Sequence, residues 1–235
     1  LFERFQSLQE GLDLPDLPRR IEGFDISHTR GEAPVGACVV FDESGTVKDA
    51  YRRYNIRDVE PGDDYGALRE VLTRRYTKMK QGEGELPDTI LIDGGRGQVN
   101  VAEGVLEELQ ITGIPVIGIA KGPERKAGEE TLFLSGREAG LILPPDSPGL
   151  HLIQQIDGEA HRFAIGGHRQ RRAKSRNTST LEDIPGVGPR KRQALLQQLG
   201  GLQGVTRAGV EELARVPGIS SELAQRIFDT FHPGG

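Results

Sequence analysis

Between Arg19 and Ala120 the hydrophobic pattern changes period, and that change leaves few folds open to the chain. Arg20-Ile-Glu-Gly-Phe-Asp-Ile-Ser27 reads as a strand with Ile21, Gly23 and Asp25 on one face. Pro34 to Phe41 is a second, nearly all-apolar strand, Asp42-Glu-Ser-Gly45 a turn, and Thr46 to Ile56 a third strand. Together they predict an antiparallel meander with its first strand innermost. The period then becomes helical. A helix is expected over 63–80, with Leu68, Val71, Leu72 and Met79 at helical spacing and Asp at its N-terminus. Thr89 to Asp93 reads as a buried strand ending in Gly94-Gly-Arg-Gly97, 98–110 as a helix, and Val116 to Ala120 as the next strand. Thr131 to Leu134 and Gly140 to Leu143 suggest a small hairpin, and 147–168 a long helix.

The order is three strands, then helix, strand, helix, strand and a C-terminal helix. A meander followed by parallel crossovers predicts an α/β fold, a ribonuclease H-like mixed sheet flanked by helices. Beyond it, Ile184-Pro-Gly-Val-Gly-Pro-Arg-Lys-Arg pairs with Val216-Pro-Gly-Ile-Ser-Ser-Glu-Leu-Ala at an offset of 32. Each copy places a hairpin between short helices, and the two must stack to bury one core, which predicts a small all-α tandem helix-hairpin-helix domain. The expected organisation is a leader or linker over 1–18, with a short amphipathic turn or two that Pro15 and Pro18 end, a ribonuclease H-like domain over 19–165, a basic flexible linker over 166–179, and the helical domain over 180–235. The chain opens on Leu1 without Met and reads as a fragment of something longer.

Net charge separates these parts. The total of −5 hides 29 acidic and 19 basic residues in 1–162, five basic and no acidic residues in 163–179, and six of each in 180–235. Bulk attraction to a polyanion therefore cannot come from the N-terminal part. An acidic domain is either solubilised by its charge or concentrates carboxylates around metal ions. Cys38 is the single cysteine, which excludes an internal disulfide framework and a multi-cysteine zinc site and suits a reducing cytoplasm. Apolar runs such as Ile114 to Ala120 are too short to span a bilayer, and no secretory signal opens the chain.

Two aspartates draw attention first. Asp25 sits in an inner strand between Phe24 and Ile26, where a buried carboxylate is costly without a cation or donors. Asp93 ends a second buried strand, at the carboxyl edge where open α/β sheets place their ligands. Alone, Asp93 before Gly-Gly is a turn former and Asp25 a hydrogen-bonded buried acid. At neighbouring strand ends they would repel, raise each other's pKa and invite Mg²⁺ or Mn²⁺. His161, on the C-terminal helix, would be a nitrogen ligand or manage a proton; Glu159 cannot share its face, because i and i+2 diverge on a helix. Asp63 and Asp64 open a helix, where capping accounts for at least one of them. Lys121 would neutralise a phosphate, hold a carboxylate, or be an ordinary loop lysine. Gly94-Gly-Arg-Gly97 lacks the full phosphate-loop pattern. His28 points to the face opposite Asp25 and reads as structural. In the repeats, Gly186 and Gly188 let backbone N–H groups approach a phosphate, Arg190 and Lys191 add charge, and Gly218 and Ser220 hold the equivalent places in a weaker second copy. Arg171 and Arg172 in the basic stretch would add further contacts to phosphates.

Phe24-Asp-Ile-Ser-His-Thr29, Gly62-Asp-Asp-Tyr65, Leu91-Ile-Asp-Gly-Gly-Arg-Gly-Gln98, Ala120-Lys-Gly122 and His161-Arg-Phe-Ala-Ile165 occur in the order found in the UvrC family, the nuclease subunits of bacterial nucleotide excision repair. The chain resembles the C-terminal half of that family from 19 to 233. Gly23 stands where the family commonly has cysteine, and Arg96 where lysine is common. The resemblance implies a metal-dependent endodeoxyribonuclease making the incision 5′ of a lesion, with Mg²⁺ or Mn²⁺ as cofactor. It implies damaged duplex DNA and a UvrB-type helicase-like protein as partners, and places Asp25, Asp93 and His161 on the family's catalytic set, with Asp64 on a further acidic position. Two other readings stay open: a non-catalytic, structure-specific DNA-binding module, and a ribonuclease acting on RNA–DNA hybrids.

Overall fold

The computed structural model describes residues 1–28, 33–122 and 128–232, the side chains of 168–180 and 182 excepted. Two compact units divide it, Leu1–His168 and Arg169–Gly235. Among the described residues no helix is long and apolar enough to cross a membrane.

The first unit is a seven-stranded mixed sheet built from β1 Arg20–Ser27, β2 Val35–Asp42, β3 Gly45–Thr46, β4 Arg52–Asn55, β5 Thr89–Asp93, β6 Val116–Ala120 and β7 Thr131–Leu134. The strand order is β3-β2-β1-β5-β6-β7, and β4 also pairs with β2. β1 runs antiparallel to β2 and parallel to β5, and β5 runs parallel to β6. The first strand is therefore inner, as its apolar neighbours predict. The third strand is not continuous. Two residues of β2, Val39 and Val40, face five on the other side, 47–51, because β3 pairs at Phe41 and β4 at Cys38. The surplus folds into a 3₁₀ turn over Lys48–Ala50 closed by Tyr51 N donating to Lys48 O, and alternation alone gives no sign of it. The expected Gly140–Leu143 strand shrinks to one bridge, Leu132 with Leu141.

Helices cover the sheet: α1 Phe2–Leu12, α2 Asp64–Lys80, α3 Arg96–Glu108 and α4 Pro148–Glu182. The residues expected as a leader include α1, whose Phe5, Leu8 and Leu12 are buried in the main core. Their i, i+3, i+7 spacing makes a narrow apolar stripe, and Arg4 donates to Gln155 of α4 while Gly149 N donates to Ser7 Oγ. Residues 166–179, expected as a flexible linker, have helical backbone within α4. After Gly167 this stretch holds no Gly or Pro and is rich in good helix formers, which favours continuation.

β1 shows a different chemistry on each face. Glu22, fully buried, accepts from Arg75 Nε at 2.7 Å and Arg75 Nη2 at 2.6 Å, and from Tyr76 OH at 2.8 Å, all on α2. This bidentate, fully hydrogen-bonded pair is the form in which a buried charge is tolerated. Gly23 and Asp25 face the other way, toward Ile156 and His161 of α4.

The second unit contains the end of α4, then α5 Pro189–Gln198, α6 Leu202–Arg207, α7 Val210–Ala214 and α8 Ser221–Phe231. The 32-residue offset reappears in its core: Leu181 with Leu213, Ile184 with Val216, Val187 with Ile219 and Leu195 with Ile227 are all buried. Gly186 and Gly218 hold φ of +94° and +85°, a left-handed turn that glycine adopts without strain. Each hairpin closes with the same bond, Val187 N to Ile184 O at 3.0 Å and Ile219 N to Val216 O at 3.1 Å.

Candidate active site

Register brings the site together. Phe24 is level with Ile92 in the parallel pair β1–β5, so Asp25 and Asp93 stand one step further along adjacent strands, on the same face. Asp93 is level with Ile119 of β6, so Lys121, two residues on, leaves the sheet at the same edge. α4 crosses this face. His161 Nδ1 lies 3.2 Å from Asp25 Oδ2. In the neutral ring whose Nδ1–H donates to that carboxylate, Nε2 keeps its lone pair.

The electrostatics follow from burial. Asp25 is 5% exposed. Desolvation, then the charge of Asp93, raises its pKa, and the charge and hydrogen bond of His161 only partly offset them. Lys121 Nζ lies 3.7 Å from Asp93 Oδ1 and 2.7 Å from Asp157 Oδ2. Burial alone would lower the lysine's pKa, but the hydrogen bond to Asp157 and the charges of Asp157, Asp93 and Asp25 leave it raised. Asp157 is itself pushed up, because burial and Asp93 outweigh the help from Lys121.

Of the residues singled out from sequence, the structure thus joins Asp25, Asp93, His161 and Lys121. Asp64 is held by His28, whose Nε2 meets its Oδ1. His28, expected as structural, therefore has a partner among the acidic candidates. Asp63 caps α2, its Oδ1 accepting from Gly66 N at 2.9 Å. The Gly94–Gly97 loop starts α3, and Arg96 is committed to carbonyls of Leu134, Arg137 and Glu138. Sequence reasoning misses Asp157, although it lies i−4 from His161, a spacing that puts two side chains on one helix face.

Asp93 and Asp157 share the Lys121 ammonium, and Asp25 pairs with His161, so this edge carries oxygen and nitrogen donors of the kinds that divalent cations take. Among the described residues no three His, Cys, Asp or Glu groups converge closely enough to enclose an ion.

In the second unit Lys191 Nζ donates to Gly186 O at 3.1 Å, setting its charge beside the first hairpin. Gly188 is the N-cap of α5, with Pro189 and Arg190 opening the helix. Ser220 caps α8 by accepting from Leu223 N at 3.2 Å. The side chains of Arg171 and Arg172 lie outside the described residues.

A domain described as the UvrC RNAse H endonuclease domain matches residues 9–165, and a SAM-like helix-hairpin-helix tandem matches 178–232. By fold and domain content this is a ribonuclease H-type endonuclease domain followed by a tandem helix-hairpin-helix unit. UvrABC system protein C of Alkalilimnicola ehrlichii is 62% identical over 97% of this chain, and that of Pseudomonas aeruginosa 56% identical over 97%. The chain belongs to the UvrC family, and it spans 38% of the length of each of these relatives. Among solved structures, Ciona intestinalis endonuclease V bound to inosine-containing DNA matches with a TM-score of 0.41 and 11% identity, over 72% of this chain and 95% of that one. Human endonuclease V matches with a TM-score of 0.40 and 14% identity, over 71% and 97%.

Proposed function

We propose that the chain is the part of a DNA-repair endonuclease that hydrolyses the phosphodiester bond on the 5′ side of a lesion in bacterial nucleotide excision repair, using Mg²⁺ or Mn²⁺. The observation that carries this is the buried Asp25, paired with His161 at 3.2 Å and raised in pKa by its burial and then by Asp93, at the carboxyl edge of the sheet. Within the reading, Asp25, Asp93 and His161 hold the divalent cation. When bound, that cation supplies charge stabilisation at the scissile phosphate and makes water a better nucleophile.

The chain's own groups do the rest. Asp25 orients the His161 ring through Nδ1, leaving Nε2 free to bind or to accept a proton. The Lys121 ammonium, at the same edge, offsets charge on a phosphate that would otherwise meet three carboxylates. No covalent nucleophile is required: Cys38 is fully buried and its thiol is pushed up by burial. Gly186, Gly188, Arg190, Lys191, Gly218 and Ser220 bind the DNA backbone without reading bases, and Arg171 and Arg172 add charge. Ser220 is the weaker member, because its hydroxyl is committed to the α8 cap. A UvrB-type partner positions the cut.

The test is cleavage of a lesion-bearing duplex already nicked on the 3′ side and loaded with the UvrB-type partner. The unmodified chain and Asp25→Ala are each run with Mg²⁺, Mn²⁺ or EDTA. A cation-dependent 5′ cut lost in Asp25→Ala supports the reading. DNA binding without any cut from the unmodified chain favours a binding module or means that the rest of the protein is required for cutting, and preference for RNA–DNA hybrid would make the enzyme a ribonuclease.

A further inference from the structure

The site holds one contact that the cutting chemistry does not use. Among the described residues Lys121 has two carboxylates in reach and is 1.0 Å nearer to Asp157, at 2.7 Å, than to Asp93, at 3.7 Å. The Asp157 side chain is 12% exposed and the Asp93 side chain 36%, so the attraction to Asp157 is the less screened of the two. A lysine is a point charge on a flexible stem, free to close on whichever anion is nearest. Asp157 is carried one turn before His161 on α4, so the element that sets the imidazole against Asp25 also sets the carboxylate that receives Lys121.

We propose that Asp157 is a positioning residue, which draws the Lys121 ammonium off Asp93 and so keeps the Asp93 carboxylate available to a divalent cation. This rests on the cation-binding reading above and adds to it a control on which carboxylate is open. Without Asp157 the carboxylate left in reach of Lys121 among the described residues is Asp93. The lysine then competes with the cation for the same oxygen.

A second effect must be told apart from this one. Any carboxylate near a cation attracts it, so losing Asp157 also weakens binding by plain charge. The two differ in their dependence on Lys121, which a double-mutant cycle isolates. Mn²⁺ is titrated calorimetrically into the unmodified chain, Asp157→Asn, Lys121→Met and the double variant, without DNA. The expected result is about 10-fold weaker Mn²⁺ binding in Asp157→Asn. Lys121→Met should bind at least as tightly as the unmodified chain, and adding Asp157→Asn to it should cost at most about 2-fold. Equal weakening with and without Lys121 overturns the proposal, as does weaker binding in Lys121→Met alone. The latter variant decides the matter if Asp157→Asn does not fold. Crystal structures of the unmodified chain and Asp157→Asn give a readout independent of the cation: Lys121 Nζ should move onto Asp93. If the unmodified chain binds no Mn²⁺, the cation reading fails and Asp93 has no cation to be kept open for, while the lysine's place in Asp157→Asn still decides whether Asp157 positions Lys121.

Discussion

Asp25 is held where an ionised carboxylate is costly, 5% exposed and beside another carboxylate, and His161 does not fully offset that cost. The sign of the pH dependence follows. A native pKa above the ordinary carboxylate range means that the folded state binds the extra proton between the two values, so stability falls as pH rises through that window. Asp25→Asn removes the charge and keeps the shape. In EDTA it should melt above the unmodified chain at pH 7.5 and converge with it near pH 4, each kcal/mol appearing as roughly 2–4 °C. A variant that melted lower at both pH values would contradict the account. The strand position of Asp25 and its inward face are legible from alternation alone. Asp157 is legible only as far as its i−4 spacing from His161, which puts it on the same face of α4; its role shows once Lys121, 36 residues earlier in the chain, is seen beside it. Glu22 is not recognisable as a buried anion, since its partners Arg75 and Tyr76 lie 53 and 54 residues away.

At the scale of elements, α1 separates what pattern shows from what packing decides. Phe5, Leu8 and Leu12 form a stripe too short to distinguish a frayed leader from a docked helix, and the two prolines that follow favour the first. Docking is settled by tertiary partners, with Phe5 fully buried and Ser7 bound to the start of α4. Phe5→Ala should cost about 3–5 kcal/mol in denaturant unfolding of the whole chain. A loss under about 1 kcal/mol would return α1 to the status of a leader. The continuous helix over 166–179 has the same lesson in reverse: charge suggests a linker, whereas propensity and the absence of Gly and Pro after Gly167 favour helix. By contrast β1, β2, β5 and β6 are readable, because a buried strand bounded by turn residues has few other interpretations.

At the scale of the molecule, the two units have separate hydrophobic cores. Removal of 180–235 should leave the thermal transition of the first unit within a few degrees. It should also make DNA binding shallower in log affinity against log salt, by about 0.9 for each phosphate that the protein no longer neutralises. That change is close to two if Arg190 and Lys191 each neutralise one. An unchanged slope would remove the hairpins from the interface. The register that joins the two aspartates has a consequence for the order in which the chain acquires its shape. Asp25 reaches its place as soon as the local β1–β2 hairpin closes, whereas His161 is 136 residues distant and must wait for long loops to close. A nascent or partly unfolded chain therefore displays isolated acids and no assembled site. The protein's own topology acts as an interlock, holding back the pairing of Asp25 with His161 until the long-range contacts of α4 are made.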